Sequence, residues 1–204
     1  MRVLKKIKYK LLSIITKPVT PPPYEVKRAI IDDYRKSYSL DHLVETGTFL
    51  GDTVEHFKSS FKKITSIELA EDLAAKAKKR FINDAHVGII QGDSSIILQT
   101  LVQEINHPAL FWLDGHYSSE FFMGDEYIKT ARGKKDSPVE EELNIILSSG
   151  VNHIILIDDA REFTGLSDYP SISAVKKQVK KARGNNYAVK VENDIIRIFP
   201  NQRM

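Results

Sequence analysis

Leu43-Val44-Glu45-Thr46-Gly47-Thr48-Phe49-Leu50-Gly51-Asp52-Thr53 joins an apolar strand ending in an acid to a turn rich in glycine and threonine. A helical pattern follows at once, in Val54, Phe57 and Phe61. The unit is strand–turn–helix. Its two glycines let backbone approach a ligand closely, and the free N–H groups at the helix start favour an electron-rich partner. The spacing is neither G-x-G-x-x-G nor G-x-x-x-x-G-K-[ST], so neither phosphate-binding motif is present. An acid two residues before the first glycine suits a ligand with a cationic group, such as the amino acid end of S-adenosylmethionine.

Working outward, the chain alternates regularly from His42. Strands are expected at about 42–45, 64–67, 87–91, 109–113 and 153–157. Helices are expected at about 52–60, 71–82, 95–105, 137–149 and 171–183. Ser137-Pro138-Val139-Glu140 reads as a capping box with proline at the first helical position. Residues 115–137 read as a long loop. Tyr187–Val191 and Ile195–Phe199 flank Asn193-Asp194 as an antiparallel hairpin. Such alternation implies an α/β fold, a doubly wound and mostly parallel sheet covered on both faces.

Before this region lie two helical patterns. Residues 24–38 place Val26, Ile30, Ile31 and Tyr34 on an apolar stripe, after a stiff linker from Pro18 to Pro23. Residues 3–15 interleave Val3, Leu4, Ile7, Leu11, Ile14 and Ile15 with lysines. Residues 1–17 carry six bases and no acid, so the net charge of +3 leaves the remainder at −3. That helix packs on the domain or on a second subunit, as in a homodimer, or lies on an anionic membrane surface; the residues leave these readings open. The expected division is an extension over 1–39 and one α/β domain over 40–204.

With 204 residues and 42% apolar content, the chain can bury a core. The small net charge imposes no nucleic-acid footprint. The absence of cysteine excludes disulfides, thiolate catalysis and Cys-ligated zinc. No apolar run approaches the roughly 20 residues that span a bilayer, and a cytoplasmic, membrane-peripheral at most, protein is expected.

In sheets of this kind ligands bind beyond the carboxyl ends of the strands. Each of the first five strands ends in or beside an acid: Glu45, Glu68, Asp93, Asp114 and the pair Asp158/Asp159. With these residues the sequence resembles class I S-adenosylmethionine-dependent methyltransferases over about residues 40–200, and in particular the metal-dependent O-methyltransferases of the catechol and macrolide-sugar type. Their first motif matches Glu45-Thr46-Gly47-Thr48-Phe49-Leu50-Gly51, although the commoner G-x-G-x-G form is absent.

The resemblance implies a seven-stranded Rossmann-like sheet. It implies cofactor contacts from Glu45, Thr46, Gly47, Thr48, Gly51, Thr53, Glu68, Asp93, Ser94 and Asp114, with Glu68 on the ribose hydroxyls and Asp93 and Ser94 near the adenine. For Asp93 and Ser94 helix capping competes. It further implies Mg²⁺ or Mn²⁺ on Asp114, Asp158 and Asp159, hard oxygen donors suited to those ions. For Asp159 a D-x-x-E capping box with Glu162 competes.

Catalysis is expected from Asp114 and His116. The catechol enzymes carry lysine three residues after the strand-four aspartate, where this chain has Tyr117; His116, which titrates around neutral pH, is the better candidate for the base, with metal ligation and a plain loop histidine as competing readings. Tyr117, Arg132 and Arg161 are candidates for the substrate, a small hydroxylated molecule such as a sugar or glycan precursor. Two other classes compete. A metal-dependent glycosyltransferase would want a D-x-D strand end, and the Glu-Thr-Gly turn argues against it. A non-catalytic module would use the basic helix for docking.

Overall fold

A computed structural model of the chain describes residues 21–115, 120–123, 126–131, 133, 137–166 and 168–201. The basic helix expected over 3–15 lies outside these residues, as do His116, Tyr117 and Arg132.

Helix α1 (Tyr24–Ser37) precedes the alternating region. Then come β1 (His42–Thr46), α2 (Asp52–Phe57), β2 (Lys63–Glu68), α3 (Glu71–Arg80), β3 (Val87–Gln91), α4 (Ser94–Glu104) and β4 (Leu110–Leu113). Strands β5 (Glu120–Met123) and β6 (Glu126–Lys129) form a separate antiparallel pair. The chain continues through α5 (Val139–Ser148), β7 (Ile154–Ile157), a 3₁₀ turn (Ala160–Glu162), α6 (Ile172–Arg183), β8 (Tyr187–Glu192) and β9 (Ile195–Pro200).

The main sheet has seven strands in the order β3-β2-β1-β4-β7-β9-β8. All pairs from β3 to β7 are parallel, and β9 runs antiparallel to both β7 and β8. Its burial pattern follows from the strand sequences. In β4, Leu110 and Trp112 join the core under α1, α2 and α3, whereas Phe111 and Leu113 join the core under α4, α5 and α6. Strand β7 divides Ile154 and Leu156 from Ile155 and Ile157 in the same way. Continuous apolar runs are what a strand covered on both faces requires.

The first connections carry the chain from β1 through β2 to β3, and β4 then returns to the other side of β1. That reversal opens a crevice beyond the carboxyl ends of β1 and β4.

Three local expectations are corrected. The long loop after β4 contains the β5–β6 pair. The capping box at Ser137 does not form: Pro138 is the N-cap, without a side-chain bond, and helix α5 begins at Val139. Ser137 is instead buried. At Asp159 the chain adopts a left-handed conformation (φ 55°) where a capping residue would be extended, and its side chain accepts from Arg161 and makes no cap.

The hairpin expectation holds. Asn193 and Asp194 both have positive φ, 52° and 60°, between paired Glu192 and Ile195. That is the twist a two-residue hairpin loop needs.

Helix α1 is fixed to the domain at both ends. Ile31 and Tyr34 are buried, and the Tyr34 ring lies 5.5 Å from that of Phe199. Burying a side chain such as Ile31 contributes about 1.5–3 kcal/mol. At the other end, the hydroxyls of Tyr24 and Thr53 lie 3.1 Å apart, tying the first turn of α1 to α2. Among the described residues no helix is long and apolar enough to cross a membrane.

Candidate active site

The turn after β1 is shaped by backbone bonds that its glycines permit. Gly47 has φ +86°, and a Cβ there would lie 2.5 Å from the Asp114 carbonyl oxygen. Only glycine lets β1 and β4 leave the sheet this close together. The Gly47 N–H donates to the Ile67 carbonyl at 2.8 Å, and the Thr48 and Ser66 hydroxyls meet at 2.6 Å.

Glu68, at the end of β2, clamps the same turn. One carboxylate oxygen accepts the Phe49 N–H and the other the Ala70 N–H, each at 2.8 Å. Phe49 is thereby held at φ 50°, a conformation costly for a bulky residue. A carboxylate offers about four lone-pair sites, so two acceptances leave capacity for hydroxyl donors from a ligand.

After β3, the Asp93 carboxylate accepts both the backbone N–H (2.9 Å) and the hydroxyl (2.6 Å) of Ser95, capping α4. The capping expectation for Asp93 therefore holds, and Asp93 still faces the crevice.

These strand ends surround one cavity of about 720 Å³. Gly47, Thr48, Thr53, Glu68, Asp93, Ser94, Asp114, Asp158, Asp159 and Arg161 all line it. The volume is that of a site for a cofactor-sized molecule. Of the proposed cofactor contacts, Glu45, Thr46 and Gly51 do not line it. Glu45 is buried behind the lining, accepting the Ser66 hydroxyl, and burial pushes its carboxyl up to about 8. Gly51 is the N-cap of α2 in a left-handed conformation, and a Cβ there would meet the Phe81 ring at 2.7 Å.

On the far side, Asp114, Asp158 and Asp159 come together. Strand β7 ends at Ile157, and the left-handed turn at Asp159 brings two adjacent carboxylates to one cavity. In an unbroken strand they would point to opposite faces. Burial and then the charge of Asp158 push Asp114 well above the usual carboxylate range. Burial and Asp159 also raise Asp158, against the pull of a Lys27 hydrogen bond. One oxygen of Asp158 is buried without a hydrogen-bond partner.

Lys27 is the residue that the sequence did not single out. Its ammonium donates to the other Asp158 oxygen and lies 3.7 Å from Asp159. Its side chain is only 12% exposed. Burial disfavours the charge, but the bond and the charge of Asp158 more than offset that, so its pKa is raised. Arg161 closes the other side, donating to Asp159 at 2.7 Å and to Asp194 in the β8–β9 turn.

The metal expectation can be tested on this arrangement. Three carboxylates are suitable donors, but the ammonium of Lys27 stands against two of them. Two unit charges 4 Å apart repel by about 4 kcal/mol at an effective dielectric of 20, and a divalent ion doubles that. Among the described residues no group of three or more His, Asp or Glu is arranged to hold a metal. The residues as placed do not fit a divalent cation.

Lys27 does have a signal in the sequence. It shares a helical stripe with buried Ile31 and Tyr34, four and seven positions on, so a charge stands on the face that packs inward. Tyr24 and Arg28 of the same helix also line the cavity, with the Arg28 guanidinium 4.7 Å above the Tyr24 ring. Thr130, Ala131 and Gly133, which follow β6, complete the wall.

No protein-family model and no curated sequence matches the chain. Solved structures do resemble it. The O-methyltransferase TomG from Streptomyces achromogenes, in complex with S-adenosylmethionine, is 13% identical with a TM-score of 0.55, over 89% of this chain and 82% of that one. The methyltransferase PaMTH1 of Podospora anserina, bound to S-adenosylhomocysteine, is 14% identical with a TM-score of 0.56, over 89% and 81%. An O-methyltransferase from Bacillus cereus is 12% identical with a TM-score of 0.55, over 95% and 88%. The strand order with its inserted antiparallel β9, together with these likenesses, gives the chain the Rossmann-like fold of the class I S-adenosylmethionine-dependent methyltransferases.

Proposed function

We propose that the protein transfers the methyl group of S-adenosylmethionine to a hydroxyl oxygen of a small acceptor, with a sugar or glycan precursor as the substrate class. The observation that carries this reading is the single cavity in which the Gly47 turn and Glu68 face Asp114. The turn at Gly47 brings backbone to the wall of the cavity, and Glu68 accepts the ribose hydroxyls of the cofactor. The similar structures named as O-methyltransferases support oxygen as the target atom.

The chemistry asks little beyond placement. The acceptor oxygen attacks the sulfonium methyl, an O–C bond forms, the C–S bond breaks, and the hydroxyl proton must leave. Asp114, which lines the same cavity, is the group placed to take that proton. Holding oxygen and methyl in line supplies most of the acceleration.

Calorimetry with S-adenosylmethionine, S-adenosylhomocysteine and UDP-sugars tests the reading. The sulfonium ligand and its demethylated product should bind and UDP-sugars should not. Glu68→Ala should weaken binding by about tenfold or more, the worth of one charge-assisted hydrogen bond. Undiminished binding in that variant, or UDP-sugar binding alone, would refute the assignment.

A further inference from the structure

We infer that the cation of this site is Lys27 itself, an ammonium delivered by α1 in the place where the resemblance sets a divalent metal. Three observations converge on it. The first is the hydrogen bond to Asp158, with Asp159 at 3.7 Å. Lys27 thus sets a positive charge against Asp158 and Asp159, and Arg161 sets a second one that Asp159 shares with Asp194.

The second is rigidity. Lys27 sits on a helix pinned by the Tyr24–Thr53 contact on one side and by Ile31 and Tyr34 on the other. The helix therefore cannot withdraw its lysine without giving up buried contacts.

The third is capacity. An ammonium has three N–H donors, and Asp158 accepts one of them. Lys27 lines the same cavity as Glu68 and Asp114, so a further donor can meet an acceptor oxygen. This last role rests on the methyl-transfer reading, whereas the exclusion of a metal does not.

The test is a Mn²⁺ titration followed by the paramagnetic resonance of the free ion. In wild-type protein the free-ion signal should be unchanged at millimolar Mn²⁺. Lys27→Met removes the charge at similar length and should create a site, with binding at least tenfold tighter than in wild type. Lys27→Arg keeps the charge and should bind none. Asp158→Asn added to Lys27→Met should abolish the new site.

Stoichiometric Mn²⁺ binding by the wild-type protein overturns the inference outright, and that measurement needs no variant to fold. So does a foldable Lys27→Met protein that binds no more tightly than wild type. Calorimetry of wild-type protein with S-adenosylhomocysteine separates the two proposals. Binding without Mn²⁺ uptake supports both; failure to bind S-adenosylhomocysteine removes the methyl-transfer reading and leaves the cation assignment to the resonance data.

Discussion

Gly47→Ala should damage the fold and the site together. The added methyl would lie 2.5 Å from the carbonyl oxygen of Asp114 and 2.9 Å from its carbonyl carbon, where ordinary contact begins at 3.4 Å. Both neighbours are backbone, so no side chain can swing aside. A left-handed conformation costs an alanine about 1–2 kcal/mol, and relieving the overlap adds about 1–3 kcal/mol. The expected loss is about 2–5 kcal/mol by urea denaturation.

Two other glycines calibrate the estimate. Gly184 has φ +62° with no atom within 4 Å of a built Cβ, so Gly184→Ala isolates the backbone cost, about 1–3 kcal/mol. Gly150 has open space and no positive φ, so Gly150→Ala should change stability by less than about 1 kcal/mol. Gly47→Ala should also move the Asp114 end of β4 and weaken S-adenosylhomocysteine binding in calorimetry. If it costs no more than Gly184→Ala, the claim that β1 and β4 are held at glycine distance is wrong.

Stability should fall on the alkaline side of neutrality. Burial lifts Glu45 to about 8 and Glu142 to about 7, above the 4.5 of an unfolded glutamate. Their contribution is complete below pH 4.5 and disappears as pH rises through those values, at up to about 1.4 kcal/mol per pH unit for each acid. His42 and His153, held down to about 4 by burial, act oppositely: their contribution is complete above pH 6.5 and is lost as pH falls toward 4. Melting temperatures across about pH 6.5–8.5 should decline in the wild type and more gently in Glu142→Gln; identical slopes would show that Glu142 is not held protonated. Asp93→Ala should cost about 1 kcal/mol through loss of the α4 cap, and equal denaturation midpoints would show that the cap bonds to Ser95 carry no net stability.

The parts of the site that were legible in the sequence are those carried by local pattern. Glu68 ends its strand, Asp93 stands two residues past one, and Asp114 and Asp158 follow directly on theirs; strand ends in a parallel sheet share one rim. Glu45 was placed by the same logic, but it sits one residue short of the strand's end and is covered by its own turn. Lys27 depends on a contact between positions 131 residues apart, which no spacing rule expresses. Its only trace was a lysine on an inward stripe, and helix periodicity alone passes over that as an interruption. Arg161 was expected at the substrate, and its guanidinium is engaged with Asp159 and Asp194 because the β8–β9 turn folds back over it.

The insertion of β9 between β7 and β8 makes one strand the sole link between the hairpin and the parallel sheet. Strand β8 leaves α6 first, yet within the sheet its neighbour is β9, which comes after it. Without Ile195–Pro200 against Ile155–Ile157, β8 has no link to the sheet and β7 presents a bare apolar edge. The hairpin therefore both closes the sheet and seats Asp194 beside Arg161. Completion of the acidic rim therefore depends on the pairing of β9 with β7.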